Sequence, residues 1–297
     1  MWAITVLECL WTAHGRKARA DMSTSDKRWK QSGTIALWMI LGLCLLAGLR
    51  PEGMLSSLDF AIGVLPVAFA LWHLIRWAGV STALLSFAVI VGTSWSFEAV
   101  GVATGRVFGD YYYPPDLLGP LLVGVPPLVM LQYFAMGYAA LVMARAIGGT
   151  LWVRATGVRL VITSAMAALA MVVLDLSSDP MQSTVRGDWV WRTGGAYFGV
   201  PIQNFWGWFI TTFTFFVIVQ VLFLRRAARV HLEIQRPGWF YLQGTLLYAS
   251  FWLPIVLRPL LGDESPTALA MWGVAGFAMS IPMVASVLAS YRPRARA

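Results

Sequence analysis

The chain has 297 residues, of which 58% are hydrophobic and only 12% are charged, and its mean hydropathy is +0.68. An average soluble domain carries about 25% charged residues, so a soluble globular fold cannot bury this much apolar surface. The formal net charge is +8. Because the basic residues follow the loops between apolar segments, this charge indicates contact with the inner leaflet of a lipid bilayer and excludes nucleic acid as a partner.

Eight apolar segments occur along the chain, separated by short stretches that hold nearly all of the charge. A membrane helix needs about 20 mainly apolar residues. Apolar residues cover the whole circumference of each segment and do not alternate with polar ones as in a barrel strand. The sequence therefore predicts an all-α fold, a polytopic bundle of about eight transmembrane helices. The predicted helices are 34–49, 57–75, 80–100, 121–144, 158–176, 204–224, 239–257 and 267–290.

The basic residues predict the orientation of these helices. If successive loops alternate between the two sides of the membrane, 17 of the 22 Lys and Arg residues fall on one side. Cytoplasmic loops are enriched in Lys and Arg, so this side is predicted to be the cytoplasm, with both chain ends inside. The prediction gives a basic cytoplasmic arm (1–33), a transmembrane catalytic domain (34–291) and a basic cytoplasmic tail (292–297), in the plasma membrane of a bacterium.

The N-terminal arm carries no secretory signal, because its apolar run is short and no cleavage site follows it. Met22 is an equally good start, and from there a short basic arm would lead directly into the first helix. Cys9 and Cys44 are too few and too far apart to indicate a disulfide framework or a thiolate metal site.

The first polar cluster begins with Glu98, at the outer end of the third predicted helix. A charge in a membrane helix is costly, so Glu98 is a functional candidate, although an acid at a helix end can also reach water. Gly101 and Gly105 share its helical face and would let another group approach the carboxylate. Three consecutive tyrosines follow; an aromatic belt at the membrane interface explains them equally well, but explains neither the glycines nor the acid. The cluster also contains Thr104, Phe108, Tyr111, Tyr112 and Tyr113.

The second polar cluster lies at the outer end of the fifth predicted helix. Asp175 and Asp179 are one helical turn apart and share a face, and Pro180 is predicted to end the helix there. Two like charges so close do not ionise together easily, so the pair would keep a proton available for acid chemistry. Two solvated acids at a helix end are the alternative interpretation.

The third polar cluster is rich in aromatic residues, and it predicts a re-entrant segment or one that lies on the membrane surface. Gln203 and Asn204 enter the sixth predicted helix, where their amides need partners. All three clusters lie in the outer half of the membrane, so we expect them to form one mostly apolar pocket. The aromatic residues singled out in this cluster are Trp189, Trp191 and Tyr197.

Several motifs are missing from the sequence, and this narrows the chemistry. His14, His73 and His231 form no ligand-like pair, which excludes the di-iron sites of membrane desaturases. No dinucleotide-binding or Walker loop occurs, and no GxSxG nucleophile motif. The expectation that remains is acid–base catalysis by carboxylates, with no metal and no cofactor.

Three blocks of sequence around these clusters share a pattern of glycine, proline and aromatic residues. They run from Glu98 to Pro126, from Asp175 to Pro180 and from Trp189 to Trp208. Together they resemble the bacterial and archaeal carotenoid biosynthesis membrane family, whose characterised members are carotenoid 1',2'-hydratases, including the bisanhydrobacterioruberin hydratase type. The resemblance covers roughly residues 95–210, and the flanking segments match by hydropathy alone.

This resemblance implies the addition of water, without a cofactor, to the terminal 1',2' double bond of an acyclic carotenoid end, giving a tertiary 1'-hydroxyl. Lycopene, γ-carotene and C50 carotenoids have such ends. The alkene must first be protonated, and a tertiary cation must then survive until water attacks it. The implied partners are the acyclic carotenoid, the lipid bilayer and other enzymes of carotenoid biosynthesis.

The resemblance also suggests roles for the clustered residues. Either Glu98 or the Asp175 and Asp179 pair would donate the proton, and the remaining carboxylate would deprotonate the water; the sequence leaves this choice open. Aromatic faces would stabilise the cation, and two amides would position the water. The expected cation pocket consists of Tyr111, Tyr113, Trp189 and Trp191, the amides are Gln203 and Asn204, and the other expected binding residues are Gly101, Thr104, Gly105, Phe108 and Tyr197.

Other functions are compatible with parts of the pattern. A membrane prenyltransferase would use an aspartate pair like Asp175 and Asp179, but a second aspartate-rich motif for magnesium and diphosphate is missing. A carotene cyclase or isomerase would use the same protonation. A carotenoid or lipid carrier or a transporter would need no acid; transporters often contain broken helices in internal repeats, and Pro126-Pro127 and Pro254 occur in predicted helices, but no self-similarity is evident.

Overall fold

The computed structural model describes residues 33–46, 59–115, 117–149, 156–230, 238–262 and 265–291. The chain divides into two compact units, Met1–Ile40 and Leu41–Ala297. In the first unit the described residues, 33–40, are helical. The predicted N-terminal arm before residue 33, the predicted C-terminal tail and Cys9 lie outside the described residues. Apart from the helix that crosses this boundary, every feature described below belongs to the second unit.

Helices dominate the described residues, which confirms the predicted all-α fold. The first, α1, is Gly33–Leu46, and it crosses the boundary between the two units. The others are α2 (Asp59–Ala78), α3 (Val80–Thr104), α4 (Pro127–Ile147), α5 (Val158–Asp179), α6 (Ile202–Val230), α7 (Gly238–Leu257), α8 (Pro266–Val274) and α9 (Ser280–Ser290).

Six helical segments of the described chain are long and apolar enough to cross a membrane. They correspond to α3, α4, α5 with the turn that follows it, α6 up to Arg225, α7, and α8 to α9 as one stretch. Two further apolar helices, Gly33–Leu46 and Gly63–Ala78, are shorter. The protein is therefore a multi-pass membrane protein, as predicted, while the count of eight spans and their orientation stay predictions.

Helix α6 runs antiparallel to α5 and to α3, as alternating membrane spans require. Near the end of α6, Gln220 donates from Nε2 to the carbonyl of Leu160 (3.2 Å) and to the hydroxyl of Ser164 (2.6 Å), both at the start of α5. At the other end of α6, Gln203 donates to the carbonyls of Gly105 (3.1 Å) and Arg106 (2.6 Å), just after α3. The end of the bundle where α3 ends and α6 begins is called the site end below.

The fourth span begins later than predicted. Residues 121–126 form a loop closed by a bridge between Leu122 and Val125, and α4 starts at Pro127. Pro126 precedes the helix with extended backbone angles, and proline is favoured in the first helical turn, where its missing N–H costs nothing. The two prolines therefore mark a helix start and not the break inside a span that the transporter alternative would use. Pro254 does lie inside α7, as predicted.

The fifth span continues beyond Pro180, where the sequence predicted its end. Pro180–Arg186 form a π-helical turn that follows α5 directly. Proline cannot donate to the carbonyl four residues earlier, so the regular α-helical pattern fails at this point. From Pro180 the backbone adopts the wider turns of a π-helix, a feature that is frequent at functional sites.

The loops after α3 and α5 are joined by a two-stranded antiparallel sheet. Strand β1 (Tyr111–Tyr112) pairs with β2 (Val190–Trp191), with Tyr111 opposite Trp191. Arg192 adds a backbone bond to the carbonyl of Asp110 (2.9 Å) and a side-chain contact to its carboxylate (3.1 Å). The aromatic third cluster is thus a paired strand and loop at the site end, a more definite structure than the predicted re-entrant or surface-lying segment.

Candidate active site

Glu98 is the first carboxyl group of the site, on α3 with only 4% of the residue exposed. Three tyrosine hydroxyls donate to it. Tyr111 and Tyr113, from the loop with β1, donate to Oε2, the latter at 3.1 Å, and Tyr133 of α4 donates to Oε1 at 2.8 Å. Burial and the nearby Glu98 raise the pKa of Tyr111 and of Tyr113 well above the ordinary value, so both hydroxyls stay protonated.

Of the two glycines predicted to let another group approach Glu98, Gly101 does so, and the group is an aromatic ring. A Cβ atom at Gly101 would lie 2.8 Å from Cδ2 of Phe108 and 3.3 Å from the hydroxyl oxygen of Tyr111. On the other side, a Cβ atom at Gly207 of α6 would lie 2.6 Å from Cδ1 of Phe108. Phe108 therefore fills the space between α3 and α6 and holds Tyr111 next to the carboxylate.

Two other residues of this cluster close the end of α3 and do not reach the site. Gly105 has φ +66° and caps the helix in the left-handed conformation that glycine adopts easily. The hydroxyl of Thr104 is exposed, donates to the carbonyl of Val100 (2.6 Å) and accepts from the backbone N–H of Arg106 (3.2 Å). The structure thus gives both residues a capping role, and their expected role in substrate binding stays a prediction.

Asp175 and Asp179 are the other two carboxyl groups of the site. Both are buried on α5. The side-chain nitrogen of Asn204, on α6, donates to Oδ2 of Asp175 and to Oδ2 of Asp179, at 2.7 Å in each case. The indole N–H of Trp189 donates to the other oxygen of Asp179 at 2.8 Å. The predicted shared face is confirmed. Among the described residues, neither aspartate nor Glu98 forms an ion pair.

Aromatic contacts join the two groups of carboxylates. The ring of Trp189, bound to Asp179, meets the ring of Tyr113, bound to Glu98, edge to face with 6.1 Å between centroids. Trp191 packs on Tyr111 with 4.9 Å between centroids, and its indole nitrogen has no hydrogen-bond partner among the described residues. The three predicted clusters therefore meet at the site end of the bundle.

A cavity of about 420 Å³ opens beside this network, between α4, α5, α6 and α7. Asp175 contributes to its wall, but Glu98 and Asp179 are not among the described residues that line it. Other polar residues in the lining are Gln132, Ser178, Gln182, Arg186, Asp188, Ser250 and Arg258. Its aromatic residues are Tyr133, Trp189, Trp208 and Phe251, and the remaining residues are Leu118, Leu128, Val129, Met136, Leu174, Met181, Pro254 and Ile255.

The rim of the cavity carries an ion pair. Arg186, at the end of the π-helical turn, lies 3.3 Å from Oδ2 of Asp188. Burial raises the pKa of the Asp188 carboxyl above its ordinary value, and the nearby Arg186 partly offsets this change. Apolar and aromatic side chains make up most of the lining, and this ion pair adds charge to it.

Two of the expected binding residues, Gln203 and Tyr197, lie elsewhere. Gln203 is exposed and its amide binds the backbone at the end of α3, so it closes that helix and does not accompany Asn204 in the site. Tyr197 donates to the carbonyl of Leu176 (3.0 Å) and packs edge to face on Phe205, and so supports the end of α5. Of the four aromatic residues expected to form the cation pocket, only Trp189 lines the cavity within the described chain.

Some residues of the site were missed in the sequence. Tyr133 binds Glu98 from α4, and its ring stacks on Trp208 with 4.5 Å between centroids and an angle of 16°. Both rings line the cavity, and so do Ser250 and Phe251 of α7, a helix to which the sequence assigned no role. A tyrosine in the middle of an apolar helix was the available signal, because its buried hydroxyl needs a partner.

Comparison with known proteins places the chain in a family. A profile described as carotenoid biosynthesis protein matches residues 58–276, more than half of the chain and all three polar clusters. The chain is 29% identical over 180 residues to the bisanhydrobacterioruberin hydratase of Haloarcula japonica, a match that covers 57% of this chain and 58% of that protein. It therefore spans less than two thirds of that relative. No solved structure matches. The protein belongs to the carotenoid biosynthesis protein family.

Proposed function

We propose that this protein is a carotenoid hydratase. It adds water across the terminal 1',2' double bond of an acyclic carotenoid end, as found in lycopene, γ-carotene or C50 carotenoids, and gives a tertiary 1'-hydroxyl. Membership of the carotenoid biosynthesis family and the similarity to a protein named as a hydratase support this proposal. The observation that carries it is a buried carboxyl group, Asp175, in the wall of an apolar and aromatic cavity.

The cavity suits one end of a carotenoid. Ligand pockets of about 300–1,000 Å³ hold molecules of drug size, so a cavity of about 420 Å³ accommodates an end group and not a whole polyene. The rest of the chain would extend into the lipid bilayer. The charged rim with Arg186 and Asp188 would admit the water that the reaction consumes.

Asp175 is the proposed proton donor, because of the three buried carboxyl groups, Glu98, Asp175 and Asp179, it is the one that lines the cavity. Its O–H proton is transferred to C2' of the double bond, the π electrons form the new C–H bond, and a tertiary cation remains at C1'. The oxygen of a water molecule then bonds to C1', and the resulting oxonium loses a proton to the Asp175 carboxylate. One water is consumed, no electrons are exchanged, and the acid is restored.

Asp179 and Asn204 are the proposed positioning residues for this acid. Asn204 donates one N–H to each aspartate, so it fixes the distance between them. Trp189 fixes Asp179 in turn. Since two adjacent buried carboxylates do not both ionise easily, the pair would hold one proton between them, and the proton facing the cavity is the one available to the alkene.

The first test is expression of the protein in cells that make lycopene, with analysis of the pigments by mass spectrometry. We expect products that are heavier by the mass of one or two water molecules, and oxygen from isotopically heavy water should appear in them. Oxygen traced to O₂ would identify an oxygenase. Isomers of unchanged mass would identify a cyclase or isomerase, and unchanged pigment would contradict any enzymatic role with this substrate.

A further inference from the structure

Trp208 is an aromatic residue of the cavity wall that could meet a cation there, and the sequence did not single it out. It lies on α6, one turn after Asn204, and lines the cavity wall together with Asp175. Trp208 is partly exposed, and it lines the cavity, so part of its ring is open to the cavity. Indole has the most electron-rich face of the aromatic side chains and binds cations best.

A stacked ring and a carboxylate lie behind Trp208. Tyr133 is fully buried, and its ring is nearly parallel to that of Trp208, at 16° with 4.5 Å between centroids. The hydroxyl of Tyr133 donates to Glu98 at 2.8 Å. A phenol that donates to a carboxylate gains electron density, because hydrogen bonds in a site of low dielectric polarise their partners.

Glu98 is not among the described residues that line the cavity, and its oxygens accept three tyrosine hydroxyls. This placement favours an indirect role for Glu98. A negative charge on Glu98 would act on the cavity through the ring of Tyr133 and then through the ring of Trp208.

We propose that Trp208 is a catalytic residue that stabilises the tertiary cation with its indole face, and that Tyr133 and Glu98 are positioning residues behind it. This inference rests on the proposed hydration. The sequence did not decide which carboxyl group has which role. In this proposal Asp175 transfers the proton, and Glu98 stabilises the cation through two stacked rings. The ligand of this face is a carbocation, or any compact cationic analogue of it.

The test replaces Trp208 with tryptophans that carry an increasing number of ring fluorines. Fluorine withdraws electrons from the ring face with little change of shape, so packing is preserved. We expect kcat to fall with each added fluorine, by about 30-fold over the series, with KM unchanged. Trp206 gives the matched control, because it lies on the same helix and is 65% exposed. The same series there should show no trend.

The outcomes distinguish this inference from the proposed function. If the unsubstituted protein forms no hydrated pigment, the proposed function fails. If hydrated pigment forms but kcat does not depend on fluorine at Trp208, hydration stands and the role of Trp208 is wrong. An equal trend at Trp206 would also overturn it, since it would show a general effect of fluorine on the helix.

A double substitution tests the positioning residues. Tyr133→Phe keeps the ring and removes the bond to Glu98, so we expect a lower kcat with unchanged KM. Glu98→Gln should lower kcat in the otherwise unchanged protein, but should add little in the Tyr133→Phe background, because both changes remove the effect of the Glu98 charge on the Tyr133 ring. If Glu98→Gln costs the same factor in both backgrounds, Glu98 does not act through Tyr133.

Discussion

Asp175 and Asp179 differ in their surroundings although they lie one helical turn apart. Both accept from Asn204 at 2.7 Å, but Asp179 also accepts from Trp189, and only Asp175 lines the cavity in the described chain. A carboxyl group whose oxygens are all engaged by neutral donors is held in place. One that faces a cavity can exchange its proton with a ligand. The two residues therefore have different proposed roles.

Asp175→Asn tests the proposed acid, because it keeps the size and polarity of the side chain and removes the exchangeable proton. General acid–base groups contribute about 10²–10⁴-fold, so we expect hydration to fall by a factor in this range while the protein inserts normally. Pigment analysis gives the rate, and the amount of protein in the membrane must be measured, since a lost buried hydrogen bond costs about 1–3 kcal/mol.

The control for this substitution is Asp110→Asn. Asp110 lies in the loop before β1, outside the cavity, and its ion pair with Arg192 is half-exposed. Pairs of this kind contribute little, about 0–1 kcal/mol. Hydration should stay near normal in this variant. Near-normal activity of Asp175→Asn would show that the acid is a different residue.

The sequence located the acids of the site and missed the rings around them. Glu98, Asp175 and Asp179 stand out because charge in an apolar helix is rare. Tyr133 and Trp208 do not, since aromatic residues in a membrane helix also face lipid. Neighbouring residues such as Gln203 and Asn204 point about 100° apart on a helix, so their opposite roles depend on the rotation of α6, which packing against α3 and α5 decides.

At the scale of helices, close packing of α3 and α6 positions the site. Phe108 fits between Gly101 and Gly207, and both glycines lack the Cβ atom that would collide with its ring. Small residues at helix interfaces are a common means of close approach in membranes. Phe108 then lies edge to face against Tyr111, one of the tyrosines on Glu98. A change in the helix interface should therefore also disturb the carboxylate.

Gly101→Ala tests this packing. The new Cβ atom would lie 2.8 Å from the Phe108 ring, and overpacking of this kind costs about 1–3 kcal/mol. We expect a lower midpoint of thermal unfolding in detergent and a loss of hydration. Gly92→Ala on the same helix is the control, because no atom lies within 4 Å of its new Cβ, and its midpoint should not fall. Equal midpoints for the two variants would contradict the packing role of Gly101.

The presence of a helix could be predicted wherever a long apolar run occurs. The residues at which the helices begin and end could not be predicted in this way. Long apolar runs predicted α3 and α7 within a few residues. Pro180 was expected to stop α5, yet the chain continues through a π-helical turn to Arg186. A proline excludes one hydrogen bond but does not determine what replaces it. The loop at residues 121–126 was assigned to a span because it is apolar, and its left-handed residues Val123 and Gly124 gave no clear signal in the sequence.

At the scale of the whole molecule, the site lies at one end of the bundle, and Arg145 lies toward the other end. Arg145 near the end of α4 donates to Gln220 (3.4 Å), which also binds the start of α5. Glu98 and Asp175 lie toward the other end, near the loops with β1 and β2. If the end that holds Arg145 is cytoplasmic, the cavity opens in the outer half of the bilayer. The end group of the carotenoid and the water would then both enter the cavity from the outer half of the bilayer.

Single cysteines test this orientation. Leu117, 57% exposed, lies in the loop after β1, and Thr156 is exposed just before α5. In a background without Cys9 and Cys44, a membrane-impermeant maleimide should label Leu117→Cys on intact cells and label Thr156→Cys only after permeabilisation, because the positive-inside rule places the basic loops in the cytoplasm. Labelling of both after permeabilisation is the control for reactivity. The opposite pattern on intact cells would invert the bundle and place the cavity in the inner half of the bilayer.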